Sequence, residues 1–425
     1  MSIRPAHEPS RIFPQPQRLW DNPAVHTPAL GCRNCKDFGT CGGLHTEAGV
    51  FLDCHDLCTC ADKSKCDMVC RFNPSHFVAR MREIDGFEFD NIPRFKELSL
   101  PSLPLVVPLI HHKYSRSSVL NEPVVAISLY ELVNMGNGEL HVRTREELAQ
   151  RFLVPANASI VVSGVGKDPS IERWWEFKDR FSLIAQLRDL GISMITAPNY
   201  SVLTDVPRTD NLHAMKRIFM AWAEFASAGL PAALHLNART EHDYRRWADL
   251  IRERPEIGVV AFEFATGCGR GERIEFHAAQ LSLLARRVGR PLNLVVRGGL
   301  RVLPQLNRAF NKVTLLETDA FTRTHRRRRA HFNEAGRLRW ASWPTDADAP
   351  LDDLLAHNIK VVRAAIEMEM QKPLGSTHVI RRVRGTTQNR NNEPRQGSLF
   401  GDFQLAGQAQ IVTTQREDMV PATKP

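Results

Sequence analysis

Eight short apolar runs, rich in β-branched residues and separated by amphipathic stretches, constrain the fold of this 425-residue chain most. They are Pro104–Ile110, Val124–Leu129, Ser159–Ser163, Ile192–Ala197, Ala232–Leu236, Gly258–Phe264, Leu292–Val296 and Val313–Leu316. A strand that reads as a continuous apolar run is buried on both faces, as parallel strands beneath helices are. Eight of them in alternation with helices predict an α/β chain with a (β/α)8 TIM-barrel-like domain over residues 100–335. A doubly wound open sheet is the alternative. Its dinucleotide-binding version is weakened because no Gly-x-Gly-x-x-Gly opens a helix after a strand.

The expected helices are Thr144–Phe152, Pro169–Leu190, Asn211–Ala228, Thr240–Arg254, Gly271–Val288 and Val302–Phe310. Thr240 is placed as an N-cap, with acidic residues in the turn that follows it. Trp174, Trp175 and Trp222 recur near helical spacing and are expected in the core. A further helix, Leu351–Gln371 within a segment 345–372, carries an apolar stripe of Leu354, Leu355, Val361, Val362, Ala365 and Ile366, and should pack on the barrel's outside. Residues 1–30 are Pro-rich and unpatterned, an expected arm, and residues 385–425 are polar and read as a disordered tail.

Eight of the nine cysteines lie in a module spanning residues 31–75: Cys32, Cys35, Cys41, Cys54, Cys58, Cys60, Cys66 and Cys70. A tetrahedral site consumes four thiolates, so the count fits two zinc sites, with His45 or His55 able to replace a sulfur. Only Cys32 and Cys35 form a Cys-x2-Cys knuckle. The other spacings are irregular, which suits a 4Fe-4S cluster whose ligands arrive from loops. Disulfides rank last, because the opening Met1-Ser-Ile-Arg-Pro5 carries no apolar signal segment. Either metal implies a reducing, cytoplasmic setting, and no apolar run is long enough to span a membrane.

The net charge is +9, and residues 301–340 carry +7 while residues 372–425 carry +4, leaving −2 for the rest. So localised an excess points to a phosphate-bearing partner, nucleic acid or nucleotide. Arg323, Arg326, Arg327, Arg328 and Arg329 crowd seven residues after the eighth run and are the candidate nucleic-acid contacts.

In a barrel, reactive groups gather at the carboxyl ends of the strands. There this chain places His111-His112-Lys113, Tyr130-Glu131, Lys167, Asn199, Asn237, Arg239, Glu263, Arg297-Gly298-Gly299, Glu317 and Asp319. Glu263, Glu317 and Asp319 are the candidate acids, bases or ligands for a divalent ion. Lys167, Asn199, Asn237, Arg239, Arg297, Gly298 and Gly299 are the candidate anion and substrate contacts, the glycines leaving backbone N–H groups accessible.

Four resemblances accompany these readings. Cys32-Arg-Asn-Cys35-Lys-Asp-Phe-Gly-Thr-Cys41-Gly42-Gly43 resembles a stretch of the auxiliary-cluster domains of radical S-adenosylmethionine enzymes, although those enzymes' own Cys-x3-Cys-x2-Cys triad has no match. Pro198-Asn199-Tyr200-Ser201, followed by Asp205-Val-Pro207-Arg208, is similar to an uncharacterised family of phages and mobile elements, which implies a mobile-element or phage-conflict context. Gly298-Gly299-Leu300 resembles a late-strand segment of base-exchanging transglycosylase barrels. In the tail, Gln396-Gly397-Ser398-Leu399-Phe400 resembles the peptide that docks bacterial DNA-handling proteins on the sliding clamp, with Gln396, Leu399 and Phe400 as its contacts. The expectation is therefore a metal-containing barrel enzyme acting on nucleic acid or a nucleotide. A non-catalytic DNA-associated adaptor and an iron–sulfur redox or radical enzyme on a small molecule are the alternatives.

Overall fold

The computed structural model describes residues 44–45, 51–52, 83–112, 115–202, 208–269, 271, 273–346 and 348–371. The eight clustered cysteines and the Gln396, Leu399 and Phe400 peptide lie outside the described residues.

All eight apolar runs form strands: β1 Val106–Pro108, β2 Val124–Ser128, β3 Ser159–Ser163, β4 Met194–Thr196, β5 Ala232–His235, β6 Val259–Glu263, β7 Asn293–Arg297 and β8 Lys312–Glu317. Every neighbouring pair is parallel, and β2 to β8 follow sequence order, with β8 returning to pair with β1. The ring closes between β1 and β2 through a parallel bridge from Leu109 to Ala126, where the Ile110 N–H donates to the Ala126 carbonyl at 2.9 Å. A closed ring without reversal of strand order is a (β/α)8 barrel, and it rules out the doubly wound sheet.

Pleating sorts each strand's side chains between two cores. Val107, Leu109, Ala126, Val161, Met194, Ala233, Val259, Ala261, Val295 and Leu316 fill the barrel interior. Alternate residues, such as Val125, Ile127, Ile160, Val162, Leu234, Leu294 and Leu315, face the helical layer. Leu103, ahead of β1, joins the interior cluster and plugs the amino end of the barrel.

The helices are α1 Leu129–Leu132, α2 Arg145–Phe152, α3 Asp168–Glu176, α4 Arg180–Asp189, α5 Arg208–Ser227, α6 Glu241–Glu253, α7 Arg273–Val288, α8 Leu303–Ala309, α9 Asp319–His325 and α10 Asp352–Met370. Thr240 does cap α6, in a full capping box with Asp243. The expected single helix Pro169–Leu190 is two, α3 and α4. Asp179 breaks it by taking the N-cap of α4, its carboxylate accepting from the Ser182 N–H at 3.2 Å. Arg180 then turns inward to a bidentate pair with Glu224, at 2.8 and 3.0 Å. Trp174, Trp175 and Trp222 are all in the core, as expected. Residues 83–95 strap across the outer helices. Lys216, wholly buried on α5, donates to the Glu88 carbonyl and Asn91 Oδ1, and Arg254 donates to the Pro93 carbonyl at 2.7 Å.

A hairpin unannounced by any apolar run follows α9: β9 Arg328–Phe332 pairs antiparallel with β10 Leu338–Ser342. Helix α10 packs beside it. No described helix is long and apolar enough to cross a membrane.

Candidate active site

The inner face of the barrel changes character at the last residue of the strands. Ala126, Val161, Met194, Ala233, Ala261 and Val295 belong to the apolar interior. Two positions on, on the same pleat face of the same six strands, stand Ser128, Ser163, Thr196, His235, Glu263 and Arg297. Six consecutive strands therefore turn polar together at the carboxyl mouth. Buried polar groups cost stability unless hydrogen-bonded, so such a layer calls for a use. Some members are locally satisfied: Thr196 Oγ1 accepts from the Gly164 N–H at 2.9 Å, and Ser128 Oγ caps α1 through the Tyr130 N–H at 3.3 Å.

Glu263 and Arg297 form the charged centre of this layer. Arg297 Nε donates to Glu263 Oε2 at 2.6 Å, and Glu263 Oε1 accepts from the Ala265 N–H at 2.6 Å. Burial pushes the Glu263 carboxyl up, against the pull of Arg297 and the Ala265 amide. The other nitrogens of Arg297 make no hydrogen bond among the described residues, and its side chain is 17 % exposed. One strand away, His235 is 1 % exposed, and its Nδ1 is buried without a hydrogen-bond partner. Burial, with the nearby Arg297 charge, pushes this imidazole down to about 3, so it is neutral at physiological pH.

A second cluster stands where β1 and β2 end. Glu131 accepts from both histidines that follow β1, from His111 Nδ1 and from His112 Nδ1 at 3.1 Å, and also from the His112 N–H at 3.2 Å. Burial works to raise the Glu131 carboxyl, but the two histidines outweigh it and hold the group below the usual range. His112 Nε2 takes a hydrogen bond from Arg151 at 3.3 Å. With Nε2 accepting, the His112 proton sits on Nδ1 and points at Glu131. His111 extends the inward parity of Val107 and Leu109 beyond the strand, and its ring packs 5.2 Å from that of Phe321.

The residues expected at the mouth divide. Asn237 joins Asn199 through Nδ2 to Oδ1 at 3.0 Å and also donates to the Tyr200 carbonyl at 2.8 Å, which ties the loops after β4 and β5. Arg239 Nε donates to the Val202 carbonyl at 2.6 Å, and its Nη1 to Cys268 Sγ at 2.9 Å. Lys167 is exposed at the start of α3. Gly298 and Gly299 both hold φ of +75°, and the reason is packing: a Cβ on Gly298 would lie 2.7 Å from the Ala265 nitrogen, and one on Gly299 2.7 Å from the Phe264 ring.

Glu317 is not with Glu263. It shares pleat parity with Leu315 and faces the helical layer, where it caps α9 by accepting from the N–H groups of Asp319, at 2.5 Å, and Ala320. Burial, with the neighbouring Asp319 charge, pushes its carboxyl up to about 7. Asp319 is the first residue of that helix. Glu317 and Asp319 thus stand apart from Glu263, and among the described residues no group of three or more His, Cys, Asp or Glu stands arranged to hold a metal ion.

The arginine run does not make one patch. Arg323 lies on α9 over the Trp340 ring, 5.7 Å away. Arg326 is exposed, and Arg327, at φ 49°, is bound to Thr345 Oγ1 and the Asp346 carbonyl. Arg328 and Arg329 sit on opposite faces of β9. Sequence reasoning noted Glu131 and the histidine pair without assigning them a role, and passed over His235. The signal for His235 was available: a lone histidine two residues before Asn237 in an otherwise apolar strand.

No family model matches this chain, and no curated protein does. Among solved structures, an L-ribulose 3-epimerase is similar, with a TM-score of 0.31 and 11 % identity over 62 % of this chain and 95 % of that one. The strand order and ring closure establish the barrel independently of that likeness.

Proposed function

We propose that this chain is an enzyme whose barrel mouth binds a phosphate-bearing substrate, a nucleotide free or within nucleic acid, and moves protons on it. The observation that carries the reading is the unpartnered, buried Nδ1 of His235 beside the Glu263–Arg297 pair. A group left unsatisfied there costs stability, and a substrate atom is the partner that would repay it.

In this reading the substrate anion takes the uncommitted nitrogens of Arg297, since a guanidinium suits phosphate oxygens in a paired geometry. Drawing Arg297 towards the anion weakens its hold on Glu263. The Glu263 carboxylate, already raised by burial, then becomes a proton acceptor. His235 stays neutral and hydrogen-bonds a substrate oxygen or nitrogen. His111, oriented by Glu131, is the second proton carrier. The C-terminal excess of positive charge supports a polyanionic substrate.

Titration of nucleoside 5′-monophosphates and of inorganic phosphate into protein labelled with 15N-histidine tests this. Nucleotide binding should shift the His235 Nδ1 resonance, and Arg297→Lys should weaken binding about tenfold or more. Nucleotide or nucleic-acid binding that leaves His235 undisturbed and ignores Arg297→Lys would favour the adaptor over the enzyme.

A further inference from the structure

The hairpin β9–β10 presents two unlike faces, and the pairing register assigns each residue to one of them. Arg329 pairs with Ala341, Ala330 with Trp340 and His331 with Arg339. Ala330, wholly buried, Trp340 and Leu338 form the face that packs against the core. Arg329, His331, Arg339, Ala341 and, one residue beyond the pairing, Trp343 lie on the other face. His331, Arg339 and Trp343 are exposed.

The ribbon is held firmly in place. Asn358 of α10 accepts from the Ala330 N–H at 2.8 Å and donates to the Arg328 carbonyl at 2.8 Å, so the outer edge of β9 is occupied. The Trp343 N–H donates to the Arg327 carbonyl at 2.8 Å, which extends the ribbon to the tryptophan.

The outward face carries no carboxylate. Arg329, His331 and Arg339 have no acidic partner among the described residues, although His331 and Arg339 stand directly opposite each other. Arg329 Nε donates to His357 Nε2 at 3.2 Å, and no carboxylate on this face offsets the charge of Arg329 or Arg339, which leaves that charge to an anion from outside the fold. Trp343 adds the second element. The Arg329 guanidinium lies over its ring, 4.4 Å from the centroid, and the indole remains 42 % exposed. The ring is thus oriented from one side and open to solvent elsewhere.

We propose that this face binds single-stranded nucleic acid, with one base stacked on Trp343 and the backbone following Arg329, His331 and Arg339. A cationic strip with an aromatic platform is what sequence-tolerant single-strand binding uses, because every base offers a π-face and every nucleotide a phosphate. Duplex offers no free base to the indole. The inference rests on the nucleic-acid branch of the proposed function and not on the chemistry at Arg297.

The test uses the full chain, a labelled oligothymidylate, the same length as duplex, and inorganic polyphosphate. Single strand should bind more tightly than duplex and should quench tryptophan fluorescence. Trp343→Leu should weaken the oligonucleotide about tenfold or more while leaving polyphosphate affinity unchanged. Arg329→Gln with Arg339→Gln should weaken both ligands and reduce the slope of log K against log salt by about 1.4. Thermal melting checks that the variants are folded, and Trp343→Phe, which keeps a stacking ring, should retain most of the affinity. Duplex binding as tight as single strand, or a folded Trp343→Leu protein with unchanged oligonucleotide affinity, overturns the proposal. Mononucleotide binding at the barrel mouth should respond to Arg297→Lys and not to Trp343→Leu, so the two proposals fail separately.

Discussion

Arg297 Nε lies 2.6 Å from Glu263 Oε2, so neighbouring strands β7 and β6 are joined by an ion pair at the barrel mouth. Glu263 is 3 % exposed, and without Arg297 its charge would stand uncompensated. Arg297→Gln should therefore cost about 3 kcal/mol in a urea titration. Adding Glu263→Gln should restore part of that loss, because the uncompensated charge is then gone. Simple additivity of the two losses would show that the residues are not coupled.

Glu317 gives the protein a signed pH dependence. Its carboxyl is raised to about 7 by burial and by Asp319, against an ordinary glutamate value of 4.5. The folded state therefore holds this proton more tightly than the unfolded chain. This group's contribution is present below pH 4.5 and is lost as pH rises to about 7, with a slope of at most about 1.36 kcal/mol per pH unit. Glu317→Gln keeps an acceptor for the α9 amides and removes the titration. Its stability relative to the parent should rise between pH 5 and pH 8 in buffered denaturant melts.

Gly298→Ala should destabilise the protein by about 2 kcal/mol or more. The φ of +75° penalises a side chain, and the new Cβ would meet the backbone nitrogen of Ala265 at 2.7 Å. Gly271→Ala, at φ 56° but with nothing within 4 Å of a Cβ, should cost less. Equal losses would show that conformation alone, and not the close approach, sets the requirement.

Cys32→Ser with Cys35→Ser should lower bound metal and increase protease susceptibility within the first 75 residues. Metal analysis of anaerobically purified protein, with its visible spectrum, separates iron–sulfur from colourless zinc. Full metal content in the double variant would remove these two residues from the ligand set.

The barrel was legible because its strands are buried on both faces, which writes them into the sequence as apolar runs between helices. What remained hidden follows from local competition. Asp179 interrupts an apparently continuous helix by capping the next one. Arg328–Phe332 and Leu338–Ser342 form no continuous apolar run because one face is solvent and cationic, so a short alternation around the turn residues Asn333 and Gly336 was the hairpin's signal. At the mouth, Glu263 was found because it ends a strand on the inner face. Glu317 ends its strand on the other face, and one residue of parity turns a mouth carboxylate into a helix cap. His235 was hidden by the apolar run around it.

Ring closure has a consequence for how the chain is made. Among the described residues the seam between β1 and β2 rests on a single bridge, and α10 packs against the loop that joins the two strands. Asp352 receives the Ser117 N–H at 2.9 Å, Arg363 reaches Glu122 at 2.5 Å, and the Leu351 N–H donates to the Ser115 carbonyl at 2.8 Å. β1 must also wait for β8, the last strand of the barrel, as its other neighbour. During synthesis from the amino end, the nascent barrel therefore remains an open sheet with unsatisfied edges until residues 312–370 have left the ribosome. The chain's aggregation hazard is concentrated in that interval, and α10 acts as the latch that ends it.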